Sequence, residues 1–193
     1  MHARMGAVRI RDSDLSAMGL VRMSVPWTCP DFNLENLSGG RVGLSESAGN
    51  LRMIHFWCAY CPAFRSELLS LEELYERLEG RNFALLSVNN GDPFGEVQQL
   101  CRACPVRFPV LLDPLRKTAE AYGVSAVPST FLLDRKGLAF AKATGARDWS
   151  SRAALEMLHR LMGNLGDRNP AGHAADGRVD RKDGSGRIER RKK

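Results

Sequence analysis

The fold class that the sequence predicts is α/β, with a central mixed β-sheet flanked by helices. Short apolar segments of strand length alternate with longer segments whose leucines recur every three to four residues, the spacing of one buried helix face. The last two strand segments are joined by a turn of Asp134-Arg135-Lys136-Gly137, which is typical of a hairpin. Strands that alternate with helices and finish as a hairpin and a helix indicate both parallel and antiparallel pairing.

The first half of the chain is expected to begin loosely and then to enter the sheet. Residues 1–24 show no clear period, so we predict a loose N-terminal leader. Ser38-Gly39-Gly40 separates two short alternating segments and predicts a strand hairpin as an N-terminal extension of the sheet. Residues 51–56 then read as a buried strand. The leucine stripe that follows predicts a helix ending at about residue 79, where Gly80 is a natural stop.

The second half continues the alternation and then changes composition. In order, we predict a strand at 82–88, a helix at 94–104, an extended piece at 108–112, a helix at 114–122, strands at 130–133 and 138–143, and a helix that Asp148 or Ser150 caps and that runs to about residue 162. Residues 164–193 are rich in Gly, Asp, Arg and Lys and cannot bury enough apolar area to offset their ordering entropy. We therefore predict one folded domain over residues 25–163 and a disordered basic C-terminal tail.

The net charge of +6 is concentrated in that tail. Residues 164–193 hold nine Lys or Arg against five Asp or Glu, which leaves a net charge of only +2 for the rest of the chain. A nearly neutral domain argues against a nucleic-acid partner. No segment has the ~18 to 20 consecutive apolar residues of a membrane span, and the first twenty residues lack the apolar core of a secretory signal. We expect a cytoplasmic monomer as the chain stands, and a periplasmic or other extracytoplasmic protein if translation starts upstream.

Two cysteines interrupt the passage from the predicted strand at 51–56 to the leucine-rich helix. Cys61 is followed by Pro62, a residue favoured at the first helical position. Exposed backbone N–H groups and the positive end of a helix dipole stabilise a thiolate over a thiol. Cys58 lies three residues earlier, where this effect is weaker, although cysteines at this spacing across a turn can come within disulfide distance. The pattern predicts redox chemistry and leaves open which cysteine attacks.

Six short segments occur along residues 26–162 in a characteristic order. They are Cys29-Pro30-Asp31-Phe32-Asn33-Leu34, Phe56-Trp57, Phe108-Pro109-Val110-Leu111-Leu112-Asp113-Pro114, Ala121-Tyr122-Gly123-Val124, Val127-Pro128-Ser129-Thr130-Phe131-Leu132-Leu133-Asp134 and Gly145-Ala146-Arg147-Asp148-Trp149. In these segments the chain resembles the TlpA/ResA group of thioredoxin-like thiol–disulfide oxidoreductases, within the wider redoxin superfamily. Their order and spacing together imply a thioredoxin-like fold.

The catalytic segment departs from the group's pattern, Phe-Trp-Ala-x-Trp-Cys-x-x-Cys-Arg-x-Glu. Without gaps, Cys61 takes the place of the nucleophile, Phe64 that of the resolving cysteine and Cys58 that of the usual alanine. Arg65 and Glu67 then match the group's Arg and Glu. The resemblance therefore implies that Cys61 is the nucleophile, and that the enzyme works as a monothiol or uses Cys58 as a substitute resolving thiol.

The resemblance also implies the roles of the surrounding residues. Val127-Pro128 matches the group's cis-proline, which offers backbone hydrogen bonds to an extended substrate. Trp57, Tyr60, Pro62 and Val127 are expected to contact substrate. Glu67 matches an acid thought to tune or relay protons for the cysteine pair, and its alternative role is an exposed helix glutamate. The implied partners are protein thiols or disulfides and a redox partner protein, with no cofactor.

The remaining candidate ligands and thiols have simpler interpretations. Cys101 and Cys104 form a second C-x-x-C near a helix end, where core packing is favoured over a redox relay. Cys29 is expected to be inert and His55 to be a hydrogen-bonded core histidine. The two C-x-x-C pairs are about 40 residues apart, longer than the usual zinc-ribbon spacing, so we expect no metal.

Two other functions remain open. Peroxiredoxins share the fold and need only one reactive cysteine, but the chain has no Pro-x-x-x-Thr-x-x-Cys sequence before either candidate. Ser129 also stands where such enzymes tend to have an activating arginine. A thioredoxin-fold module that lost turnover when Phe64 replaced the second cysteine is the third hypothesis. It would keep the cis-proline groove as a peptide-binding site.

Overall fold

A computed structural model describes residues 11–61 and 64–164 of the chain. Within these residues the chain forms one eight-stranded mixed sheet with five α-helices, which confirms the predicted fold class. The elements are α1 (Asp12–Ala17), β1 (Val21–Thr28), β2 (Asn33–Asn36), β3 (Arg41–Gly43), β4 (Leu51–Trp57), α2 (Phe64–Leu78), β5 (Phe83–Asn89), α3 (Phe94–Ala103), β6 (Val110–Leu112), α4 (Lys117–Ala121), β7 (Ser129–Leu133), β8 (Leu138–Thr144) and α5 (Arg152–Asn164).

Strand β4 lies inside the sheet, whose strand order is β1-β8-β7-β4-β5-β6-β2-β3. It pairs parallel with β5 on one side and antiparallel with β7 on the other. All seven of its residues are buried, as expected of a strand covered on both faces. The carboxyl ends of β4 and β5 therefore lie side by side, beside the start of β7, and these three strands position the cysteine segment.

Residues 11–24 contradict the prediction of a loose leader, whose residues 1–10 lie outside the described part of the chain. Residues 12–17 form α1, and β1 begins at Val21 and pairs with β8. Leu15 and Leu20 are buried in the core. The guanidinium of Arg147 donates to the carbonyls of Met18 and Gly19 at 2.7 Å each. Because these contacts come from the far end of the sequence, the local pattern of a six-residue helix could not reveal them.

The predicted N-terminal hairpin is present as β2 and β3, with Leu34 opposite Val42. Gly39 in the turn has a φ of 80°, a left-handed conformation that glycine adopts without steric cost. Strand β2 also pairs antiparallel with β6. The hairpin therefore extends the sheet at its β6 edge.

Two buried clusters cover the sheet, because alternate residues of a strand point to opposite faces. Met53 of β4 packs with side chains from α1, α2, α3 and α5 in one cluster. The neighbouring Ile54 packs in the other cluster, which includes Ala119 of α4. The predicted leucine stripe of α2 is buried throughout, so this helix is held firmly against β4.

Two helices begin later than the sequence predicts. Helix α4 begins at Lys117 rather than Pro114, since Arg116 has a left-handed φ of 58° and the Asp113 carboxylate accepts from the Ala119 N–H at 2.9 Å. In α5, the side chain that accepts a hydrogen bond from the first turn is that of Ser151, whose Oγ accepts from the Ala154 N–H at 3.3 Å.

No helix within the described ranges is long and apolar enough to cross a membrane. Most of the predicted C-terminal tail, from residue 165 onward, lies outside the described residues.

Candidate active site

Cys58 and Cys61 lie in the connection between β4 and α2. Strand β4 ends at Trp57, and the Cys61 N–H donates to the Cys58 carbonyl at 3.4 Å, which closes a turn between the two cysteines. The Phe64 N–H in turn donates to the Cys61 carbonyl at 2.9 Å. Phe64 is the first described residue of α2. The prediction that Pro62 takes the first helical position and contacts substrate lies outside the described residues.

The two thiols of this turn are in contact. Their Sγ atoms are 2.8 Å apart, and both cysteines are free thiols. A disulfide bond is about 2.05 Å long. Cys58 therefore stands within bonding reach of Cys61 after a small side-chain movement, as its possible role as a substitute resolving thiol requires.

A cis peptide bond joins Val127 and Pro128, as the family resemblance implies. The Cys61 thiol donates to the Val127 carbonyl, with an Sγ to O distance of 3.6 Å. The fold thus brings Cys61, which precedes α2, next to Val127, which precedes β7. Their contact places the Cys61 sulfur beside the backbone of the predicted substrate groove.

Trp57 supports the site from inside the core, which corrects the prediction that it contacts substrate. Its side chain is only 1% exposed, and its indole N–H donates to Ser87 Oγ at 2.8 Å. Phe64 stacks on it, with ring centroids 4.3 Å apart and an interplanar angle of 24°. The position that the resemblance assigns to a resolving cysteine is therefore filled by a buried aromatic ring.

Tyr60 has the opposite environment and is 72% exposed. Its hydroxyl donates to the Glu96 carboxylate of α3, and this hydrogen bond is the main reason why the pKa of Tyr60 is raised. The ring stands on the surface of the cysteine turn. Its contact with substrate stays a prediction that this exposure permits.

Asp92 is a residue that the sequence did not single out. Its Oδ2 accepts from the Ala59 N–H and from the Asn89 side-chain amide, at 2.6 Å each. The side chain is buried although it carries a carboxylate. In the sequence, this residue belongs to the run Asn89-Asn90-Gly91-Asp92-Pro93, which predicts a turn. The run does not show that this turn contacts the cysteine segment.

The ionisation of Cys61 differs from the expectation based on a helix start. Burial raises the pKa of the Cys61 thiol to about 11, with further contributions from Cys58 and the negative charge of Asp92. Desolvation outweighs stabilisation by backbone N–H groups here, so Cys61 rests as a thiol and must lose its proton when it reacts.

Glu67 is buried, which rules out the exposed helix glutamate as its role. The side chain is 3% exposed, and its Oε1 accepts from the Trp149 indole N–H and the Arg147 backbone N–H, at 3.1 Å each. Burial raises the pKa of Glu67 to about 7, although these donors act in the other direction. A carboxyl that titrates near neutral pH can hold or release a proton in this core.

His55 faces the other oxygen of Glu67, at 3.7 Å from Nε2 to Oε2. Its Nδ1 is 2.9 Å from Thr130 Oγ1, and the side chain is 2% exposed. Burial lowers the pKa of His55 to about 3, so the imidazole is neutral in the folded protein near pH 7. The prediction of a hydrogen-bonded core histidine is confirmed.

The raised pKa of Glu67 predicts a pH-dependent contribution to stability. An unfolded glutamate titrates near 4.5 and folded Glu67 near 7, so stability from this carboxyl is present below pH 4.5 and lost as the pH rises through 7. We expect the unfolding free energy of the wild type, relative to Glu67→Gln, to fall on the order of 2 kcal/mol between pH 5 and pH 8. Urea unfolding of both proteins at both pH values measures this difference.

His55 acts in the opposite direction but cancels from that comparison. Its pKa is lowered from 6.5, so its contribution is lost as the pH falls below 6.5, and both proteins keep this residue. A difference between wild type and Glu67→Gln that is the same at pH 5 and pH 8 would contradict the prediction. A fall of similar size in the unfolding free energy of the wild type relative to Glu120→Gln, a control at an exposed position of α4, would also contradict it.

The other cysteines lie away from this turn along the chain. Cys101 is in the last turn of α3 and Cys104 immediately follows the helix; both pack in the main core cluster. Burial raises the pKa of Cys101 to about 11, with a smaller contribution from Cys104, and their possible redox role stays a prediction. Cys29 is buried, and burial also raises its pKa to about 11. Within residues 11–61 and 64–164, no group of three or more His, Cys, Asp or Glu side chains could hold a metal ion.

Known proteins resemble the chain over the region that carries this site. Residues 27–139 match the model of the AhpC/TSA family. The thiol-disulfide oxidoreductases ResA of Geobacillus thermodenitrificans and Bacillus subtilis are each 31% identical over 60% of this chain, and the matches span 66% and 65% of their own lengths. The chain thus matches just under two thirds of these curated relatives.

The fold is also similar to that of solved structures. A crystal structure from Chlorobium tepidum, assigned provisionally as the thiol:disulfide interchange protein DsbE, superposes with a TM-score of 0.65 at 27% identity. It covers 75% of this chain and 99% of its own. The sheet and helices described above are therefore those of a thioredoxin-like fold.

Proposed function

The chain belongs to the AhpC/TSA family, and from this premise we propose that it is a thiol–disulfide oxidoreductase that exchanges disulfides with protein substrates through Cys61 and Cys58. The observation that carries the proposal is the contact of the two Sγ atoms at 2.8 Å, beside the cis Val127–Pro128 bond. Similarity to ResA proteins supports the same reaction type. The partners are protein thiols or disulfides and a redox protein that restores the pair.

Reduction of a substrate begins when Cys61 loses its proton. The thiolate attacks one sulfur of the substrate disulfide, an S–S bond forms to Cys61, and the other substrate sulfur leaves as a thiolate that takes up a proton. Cys58, deprotonated in turn, then attacks the Cys61 sulfur. The Cys58–Cys61 disulfide forms and the second substrate thiol is released, so two electrons pass from the pair to the substrate. Oxidation of a substrate dithiol is the reverse sequence.

The surroundings of Cys61 support a substrate that approaches as an extended segment. The Val127 carbonyl lies 3.6 Å from the Cys61 sulfur and belongs to the connection that leads into β7. A substrate backbone beside this connection would form hydrogen bonds between main-chain groups. Because every substrate has the same main-chain groups, such contacts suit recognition of many sequences. Exposed Tyr60, between the two cysteines in the chain, offers an aromatic surface on the cysteine turn.

Oxidation of the pair is the direct test. Incubation with a dithiol–disulfide buffer followed by thiol-specific mass spectrometry should yield one disulfide, Cys58–Cys61, while Cys29 stays reduced. The reduced wild-type protein should accelerate insulin reduction by dithiothreitol. Oxidised protein in which Cys61 is unpaired and unreactive, together with no acceleration of insulin reduction, would overturn the proposal.

A further inference from the structure

The two residues between the cysteines are each held by a carboxylate from the same short segment, residues 92–96. The Ala59 N–H donates to Asp92 Oδ2 at 2.6 Å, and the Tyr60 hydroxyl donates to Glu96. We refer to Asp92 and Glu96 together as the acid clamp. It connects the turn that carries the thiol pair to the beginning of α3.

The clamp is itself anchored to the central sheet. Asp92 exchanges two hydrogen bonds with Asn89, the last residue of β5: the Asn89 amide donates at 2.6 Å and the Asp92 N–H donates to Asn89 Oδ1 at 3.1 Å. The Asn90 N–H donates to the carbonyl of Trp57, the last residue of β4, at 2.8 Å. The turn is therefore tied to the ends of two adjacent buried strands.

From this arrangement we propose that the acid clamp positions Cys58 and Cys61 for disulfide formation. The proposal rests on the proposed function and adds the residues that hold its thiol pair together. Asp92 and Glu96 are positioning residues, because no reacting atom contacts them in the structure described.

Geometry supports the proposal. A pair three residues apart can close a disulfide only if the intervening turn keeps the two side chains together. Here the turn has a single backbone bond of its own, from Cys61 N–H to the Cys58 carbonyl at 3.4 Å, which is long for a hydrogen bond. The shorter hydrogen bond from the Ala59 N–H to Asp92 holds the turn from outside. The turn therefore loses less conformational entropy when the disulfide forms.

The experiment measures the equilibrium of the Cys58–Cys61 disulfide with glutathione, read by mass spectrometry of alkylated protein. Oxidised glutathione supplies the oxidant: the pair loses two electrons and two protons, and two glutathione thiols are released. Asp92→Ala removes the oxygen that accepts from Ala59, and we expect it to shift the equilibrium constant about tenfold toward the dithiol. Asp92→Asn removes the charge but keeps an oxygen that can accept from Ala59, so its constant should stay within about threefold of the wild type.

Tyr60→Phe tests the other half of the clamp without altering the buried carboxylate. Loss of its hydrogen bond to Glu96 should shift the equilibrium about threefold toward the dithiol, the value of one exposed hydrogen bond. Glu120→Gln on α4 is the charge-matched control and should leave the constant unchanged. The clamp proposal is overturned if wild type forms the disulfide but Asp92→Ala and Tyr60→Phe keep its equilibrium constant, or if Glu120→Gln shifts it equally. A wild-type protein that forms no such disulfide also overturns the clamp, and the proposed function falls with it only if insulin reduction is not accelerated either.

Discussion

Cys61→Ser is expected to lower the rate of insulin reduction at least about 100-fold, to the uncatalysed level, because serine cannot form the mixed disulfide. Cys58→Ser should also lose catalytic turnover, but for a different reason. Its Cys61 can still attack a substrate disulfide, yet no second thiol lies 2.8 Å away to release the product. Mass spectrometry should therefore detect a substrate bound covalently to Cys61 in Cys58→Ser and none in Cys61→Ser.

Cys101→Ser serves as the matched control, since this cysteine packs at the end of α3 and should retain wild-type activity. Loss of activity in Cys61→Ser alone would show that the protein works as a monothiol. Activity in neither the wild type nor any variant would favour the peptide-binding module. Consumption of peroxide faster than by free cysteine, abolished in Cys61→Ser, would favour the peroxidase.

Phe64→Ala is expected to lower the free energy of unfolding by about 3 to 5 kcal/mol. The ring is buried and stacked on Trp57, and its removal would leave a cavity beneath the cysteine turn. Urea unfolding followed by circular dichroism measures the change. Phe64→Leu fills most of that cavity and should lose about 1 to 2 kcal/mol.

The surface control for this prediction is Phe94→Ala at the beginning of α3. Phe94 is 49% exposed, so its replacement should change stability by less than about 1 kcal/mol. A loss below about 1 kcal/mol in Phe64→Ala itself would contradict a structural role for the stacked ring. Phe64 is therefore expected to stabilise the fold at the position where the two-cysteine motif has its second cysteine.

Much of the fold could be predicted because its central elements carry their own local signals. The apolar segment that becomes β4 and the leucine stripe of α2 have the periods of a buried strand and a one-sided helix, so their types follow from short windows of sequence. The hairpin of β7 and β8 was predicted from its turn. Helix α1 was missed because Leu15 and its neighbours give no clear period in six residues.

The candidate site could be predicted only in part. The Val127–Pro128 cis bond followed from family resemblance, and its contact with Cys61 from the way the fold joins β4, α2 and β7. The burial of Trp57 and Glu67 was not predictable, since a residue at the edge of an apolar stripe can face solvent or core. Asp92 was missed because a turn sequence does not say which loop its carboxylate will meet.

The sequence by itself determined the class of fold and the presence of two cysteines between a buried strand and a helix, because both depend on the identity and spacing of neighbouring residues. Only the tertiary structure decided that the two thiols touch, that burial raises the pKa of Cys61, and that Asp92 holds the turn. These properties depend on distances and solvent exclusion between segments far apart in the chain. Such distances exist only after the strands have paired and the helices have packed.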